Sequence, residues 1–128
     1  MMNQKHKIPY VFILDYLHPK EVKIKPMFGC FGLYVDDKII FFLRDRKEKP
    51  ELNGVWVAVG ILSYYESLAK KLPSVNQDKK LVEDKKSNNK WLLISIHDDN
   101  FETIVIKACE LVLNGNEGIG KVTKGSLI

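Results

Sequence analysis

Apolar residues fall in short blocks divided by charged or turn-forming residues, and the spacing within each block predicts its element. Tyr10, Val11, Leu14 and Leu17 recur at helical spacing, which predicts a short helix over 9–17, with Pro9 in its first turn and Pro19 ending it. Val22, Ile24 and Pro26 alternate with lysines, as in a strand whose lysines face water. Lys25 to Val35 and Ile39 to Leu43 read as two strands joined by a tight turn at Asp36-Asp37. The second of these has no polar residue, so it is buried on both faces or has one face covered by a helix. Asn53-Gly54 then punctuates the chain before another buried strand, Val55 to Val59.

Ser63 and Glu66 have capping-box spacing and open a helix with Tyr65, Leu68, Ala69 and Leu72 on one side, stopped by Pro73. Residues 76–90 are mostly charged or amide-bearing and fit an edge strand or a loop. Trp91 to Ile96 is the last strand. Asp98-Asp99-Asn100 offers a choice of N-caps, with Asp99 and Glu102 again at capping spacing. The helix from Phe101 to Asn114 carries Phe101, Ile104, Val105, Ala108, Leu111 and Val112 on one broad face, widened by Ile106, Cys109 and Leu113, and Gly115 caps its end. These elements predict an α+β fold: a single domain over 1–128, with an antiparallel sheet and helices packed mainly on one face. A chain of 128 residues with 45% hydrophobic composition can bury such a core without disulfides or metals.

Gly29 and Gly32 stand inside the first long strand among Phe28, Phe31 and Tyr34. Glycine there predicts a bulge or bend, with the aromatics supplying the burial. No helix follows whose N-terminus could hold an anion, so this is architecture rather than a phosphate cradle. The run Met27-Phe28-Gly29-Cys30-Phe31-Gly32-Leu33-Tyr34, followed by Asp36-Asp37 and an apolar strand, resembles the hallmark of the TfoX N-terminal-domain family, the TfoX/Sxy-like proteins. Cys30 stands for the hallmark's second glycine and Phe31 for its tyrosine. The resemblance implies a small α/β domain with an antiparallel sheet. It also implies a role in bacterial competence regulation through protein contacts, and it supplies no catalytic residues. The matching residues Met27, Phe28, Gly29, Gly32, Leu33 and Tyr34 are therefore expected to be structural.

Charge and candidate chemistry narrow the picture. Twenty basic and 16 acidic residues leave a net charge of +4, with the signs interspersed, which permits nucleic-acid contact without arguing for it. The charge run Arg44 to Glu51 reads as a solvated loop. Cys30 and Cys109 lie in apolar segments and read as buried free thiols in a reducing cytoplasm. Cys30 is the better placed of the two as a nucleophile, but a packed small residue is the expectation. No signal peptide or membrane-spanning run is visible. Gly115 to Lys121 has the G-x-x-x-x-G-K spacing of a phosphate loop, but Val122 replaces the magnesium-binding hydroxyl and the segment follows a helix, so no nucleotide site is expected. His97-Asp98-Asp99 reads as a strand end before a cap, not a metal site.

The expectation is a cytoplasmic, non-catalytic interaction or regulatory module without a cofactor or membrane contact. It would associate with itself, as in a homodimer, or with a protein partner through exposed aromatics such as Tyr64 or an unpaired strand edge. The alternative is a nucleic-acid-binding accessory domain using the lysines at 79–90 and 121–124.

Overall fold

The computed structural model describes residues 8–60, 70–71, 90–116 and 118–121. Five strands lie side by side in chain order in one antiparallel sheet: β1 (Lys23–Met27), β2 (Cys30–Val35), β3 (Lys38–Arg44), β4 (Gly54–Val59) and β5 (Lys90–Ser95). Two-residue turns at Phe28-Gly29 and Asp36-Asp37 join the first three strands, the shortest connection antiparallel neighbours allow. Helices α1 (Phe12–Leu17) and α2 (Phe101–Leu113) cover one face, so the architecture is the predicted α+β one. Of the helix expected to start at Ser63 only residues 70 and 71 are described, both helical, and the stretch 76–89 and Tyr64 lie outside the described residues.

Strand alternation builds the core. Leu33 and Val35, Phe41 and Leu43, Val55, Val57 and Val59, and Leu92 and Ile94 point toward the helices. There they merge with Ile13 and Leu17 of α1 and with Phe101, Ile104, Val105, Ala108, Cys109 and Val112 of α2. Each fully buried aliphatic or aromatic side chain contributes roughly 1.5–3 kcal/mol. The opposite face is apolar too. Tyr34, Ile39 and Ala58 cluster with Met27 and Trp91, and Trp56 and Leu93 cluster with Phe42, Leu52 and Trp91. The run Ile39 to Leu43 therefore contributes to both faces, as its lack of polar residues predicts.

Three local expectations are corrected. Lys25 to Val35 is not one strand but a hairpin, because Phe28 and Gly29 both take positive φ (51° and 78°) and pair Met27 with Cys30. The aromatics do not all supply burial, since Phe28 sits at the tip of this turn and is 86% exposed. The bulge lies elsewhere: Leu33 pairs with Phe41 but Tyr34 pairs with Ile39, which leaves Ile40 as the extra residue on β3. Ile40 and Phe41 consequently both face the main core. Gly32 takes part in regular pairing, and the need for glycine there is one of space. A Cβ would sit 3.1 Å from Ile39 Cδ1 and 3.2 Å from both Met27 Cε and Tyr34 Cε1.

Helix α1 begins at Phe12 because Tyr10 is pinned outside it. Its hydroxyl donates to the Arg44 carbonyl at 2.8 Å, its ring lies edge-on to Phe101 at 5.2 Å, and its φ is 56°. Of the predicted face, Leu17 is buried and Tyr10 and Leu14 pack against the core, Ile13 joins them, and Val11 is left 58% exposed. Helix α2 has no side-chain cap at Asn100, and the Asp99–Glu102 box does not form; of the three offered residues it is Asp98 that serves the helix entrance. Asp98 Oδ1 accepts the Asn100 N–H at 2.8 Å and the Asp98 carbonyl accepts the Phe101 N–H at 3.0 Å. The C-terminus follows expectation. Gly115 has φ 80°, and Asn116 N–H reaches back to the Leu111 carbonyl at 2.9 Å.

Candidate functional site

The residues between β3 and β4 are mostly exposed, as their charges predict, but they are built into a loop around one buried side chain. Asn53 is its anchor: 6% exposed, it is the buried polar side chain among the described residues. Its Oδ1 accepts Arg44 Nη1 at 2.7 Å and the Arg46 N–H at 2.9 Å, and its Nδ2 donates to the Arg46 carbonyl at 2.8 Å. A buried amide side chain must place its donors and acceptor, and three partners here do so. Arg44 also donates to the Lys49 carbonyl at 2.9 Å and to the Glu48 carbonyl at 2.8 Å. The arginine forks are thus spent on curling the chain around Asn53, while Pro50–Leu52 closes the loop as a single 3-10 turn.

This loop presents Arg46 to the β1–β2 turn. Arg46 Nη1 donates to the Phe28 carbonyl at 2.9 Å, and Nη2 pairs with Glu48 Oε1 at 2.8 Å. Gly29 is needed beneath it. With φ 78°, a Cβ there would meet Arg46 Nη1 at 2.9 Å and Cζ at 3.1 Å. Beside the turn lies an open groove of about 380 Å³ lined by Ile8, Pro9, Gly29, Phe31 and Asp45. The tip is therefore an exposed aromatic ring on a turn held from behind by a guanidinium, next to an open groove of mixed polar and apolar lining. Of the family-like residues, Leu33 and Tyr34 are buried in the sheet and Met27 packs beneath it. Phe28 and Gly29 form the tip. The sequence reading missed Arg46 and Asn53; the only signal for them was an arginine-rich run ahead of an Asn-Gly.

The other candidate groups have settled environments. Cys30 is buried, and burial pushes its thiol up despite the opposing pull of the Arg44 and Arg46 guanidiniums, so it is held as the protonated thiol. Cys109 lies within the core and is pushed up to about 12, chiefly by burial and then by Glu110. The Tyr10 phenol is likewise pushed up to about 12, first by burial and then by Asp45, which suits a hydroxyl that donates to a carbonyl. His97 is exposed and its Nε2 lies 3.0 Å from the Pro50 carbonyl, so that nitrogen carries the proton. Among the described residues, no three His, Cys, Asp or Glu side chains gather as a metal site. The phosphate-loop spacing is absorbed into the sheet: the Gly120 and Lys121 N–H groups donate to the Ala58 and Ile39 carbonyls at 2.9 and 3.0 Å. No helix among the described residues is long and apolar enough to cross a membrane. No family model, curated protein or solved structure matches the chain.

Proposed function

We propose that this protein is a cytoplasmic, non-catalytic interaction module of the TfoX N-terminal-like type, and that it binds protein, itself or a regulatory partner, through the tip of the β1–β2 hairpin. One observation carries the reading: Phe28, at φ 51°, is 86% exposed. A bulky residue in the left-handed region costs roughly 1–3 kcal/mol, and leaving its ring in water forgoes about as much again from burial. Asparagine or glycine would serve the turn better. The hairpin thus tolerates at this position a residue that the fold does not need, and such outliers concentrate where a chain contacts something else. Support from behind by Arg46 keeps the ordering cost of binding low.

Strand addition at the outer edge is the weaker route. Pro26 has no N–H, and Lys23 and Lys25 are exposed on the same short strand, so β1 is blunted against pairing. The nucleic-acid alternative loses one of its groups. Lys121 turns its amine under the Trp91 ring, 4.6 Å from the centroid, where no phosphate reaches it. Lysines 79–89 and 122–124 lie outside the described residues.

Sedimentation velocity across protein concentration and salt, together with capture from the native cell, tests the reading against a Phe28→Asn comparator. The expected outcome is association that survives high salt and is lost in the variant, because apolar burial is not screened. A wild-type chain that stays monomeric, captures nothing dependent on Phe28 and binds DNA only at low salt defeats the proposal in favour of nucleic acid.

A further inference from the structure

β3 and β4 pair only from Phe41 with Val57 to Arg44 with Gly54. Past the bulge at Ile40 the two strands part, as bulged strands bend. Residues 118–121 fill the opening. Ile119 bridges Val59, with Gly60 N–H donating to the Gly118 carbonyl and Gly120 N–H to the Ala58 carbonyl, both at 2.9 Å. Lys121 bridges Ile39, each N–H donating to the other's carbonyl at 3.0 Å. Both bridges are antiparallel although β3 and β4 themselves run in opposite directions, so the chain must reverse between them. It does so at Gly120, whose φ is 106°. A side chain at Gly120 would also press on Ile40 Cγ2 at 3.3 Å, and one at Gly60 would strike the Gly120 carbonyl oxygen.

The segment fits this slot at every position but the last. Ile119 enters the main core. Lys121 passes to the other face, where its Nζ has essentially no solvent contact and no hydrogen-bond partner among the described residues. Among the described residues its surroundings include the Trp91 ring and the bridge partner Ile39. Burial alone pushes its pKa down to about 8, and the ring face returns only part of the lost hydration.

We propose that the opening between β3 and β4 is a segment-binding slot, plugged in cis by the imperfect occupant Gly118–Lys121, and that a protein partner displaces this plug with a segment of the pattern apolar, glycine, uncharged. The inference rests on the reading of the protein as an interaction module and adds a second surface, at the end of β2 opposite Phe28. The slot's own chemistry specifies the occupant. The backbone groups of Ile39, Ala58 and Gly60 are satisfied by any chain that turns as this one does. The first side chain must be apolar, the second absent, and the third gains by carrying no charge. A segment in trans with such a third residue makes the same hydrogen bonds without stranding an amine, and the cis plug holds the slot through its high effective concentration.

A fluorescent peptide of residues 116–123 carrying Lys121→Met, titrated with the full chain, tests this by anisotropy. It should bind saturably and about tenfold or more tighter than the unsubstituted peptide, the difference expected from removing a buried charge. Binding should weaken when the full chain itself carries Lys121→Met, which improves the cis plug. It should vanish when Ile39→Cys and Lys121→Cys are joined, a bonded antiparallel pair whose Cα spacing of ~5.5 Å suits a disulfide. If that variant fails to fold, Val59→Cys with Ile119→Cys provides the same lock. Absence of binding, binding that survives the lock, or indifference to the Lys121→Met change in the peptide overturns the proposal. A failed titration beside intact Phe28-dependent association sinks the slot alone, and the reverse result sinks the hairpin tip alone.

Discussion

Two turns in this sheet share one geometry and differ in chemistry. Phe28-Gly29 and Asp36-Asp37 each join antiparallel strands with two residues at positive φ, 51° and 78° in the first and 53° and 67° in the second. At Asp36-Asp37 the side chains are short, polar and exposed, and aspartate tolerates the left-handed region, so the turn is explained by its own residues. At Phe28-Gly29 only the glycine is explained that way. The phenylalanine is unfavourable in conformation and in exposure, and a guanidinium from a distant loop holds its carbonyl. A turn that its own residues suffice to form carries no message beyond folding. One that keeps an aromatic ring in water with support from outside is the ground for the contact proposed above.

The largest blow to this contrast comes from beneath. Asn53→Ala removes three hydrogen bonds and leaves the Arg46 backbone groups without their side-chain partner, so it should destabilise by about 2–4 kcal/mol. Urea denaturation measures this. A midpoint unchanged from wild type would mean that the loop does not brace the first turn.

Gly29→Val comes next, at roughly 1–3 kcal/mol, because it forces a β-branched residue to φ 78° and displaces Arg46. Gly32→Val should cost less than Gly29→Val, since it meets crowding but no backbone strain. Thermal melts of the two decide the order, and if both melt like the parent, the need for glycine at these positions is refuted.

Lys121→Met should stabilise by about 1–2 kcal/mol at neutral pH, discounting for residual screening. The sign follows from its lowered pKa. The unfolded chain holds the proton up to about 10.5 and the folded chain only to about 8, so wild-type folding is penalised in full below 8 and the penalty fades as pH rises to 10.5. Cys109 and Tyr10, both raised to about 12, act in the opposite direction above pH 9 in both proteins. The quantity to measure is therefore the gap between variant and wild type, which should close between pH 8 and 10.5. A gap independent of pH would assign the effect to packing.

The smallest stability change sharpens the comparison most. Phe28→Asn gives the first turn the polar, left-handed-tolerant residue that the second already has, and should raise stability by about 0.5–1 kcal/mol while abolishing association. Asp36→Asn should change neither. Loss of stability on Phe28→Asn in calorimetry would show that the ring serves the fold.

The strands and the long helix were legible in the chain because their signals are local. Ile39 to Leu43, Val55 to Val59 and Trp91 to Ile96 are apolar blocks between turn residues, and Phe101 to Leu113 repeats at helical spacing up to a glycine that takes φ 80° at its end. The Asp36-Asp37 turn was legible for the same reason. The first hairpin was not, since an aromatic residue masks the turn that Gly29 makes, and the apolar run continues through it.

Sequence alone thus determined the apolar strands from Ile39 onward, the long helix, the antiparallel α+β class and the buried character of both cysteines, each a consequence of periodicity or of side-chain hydrophobicity. Tertiary structure decided whatever depends on residues far apart in the chain. Asn53 became an anchor because two arginines turn back to it, and Phe28 became exposed because Arg46 holds its turn at the end of the sheet. Ile40 became the bulge because β2 sets the register of β3. Lys121 lost its water because the chain reverses at Gly120 inside a gap between two strands. A lysine or an arginine in a sequence carries its charge but not its neighbours, and burial, hydrogen bonding and strain are properties of neighbours.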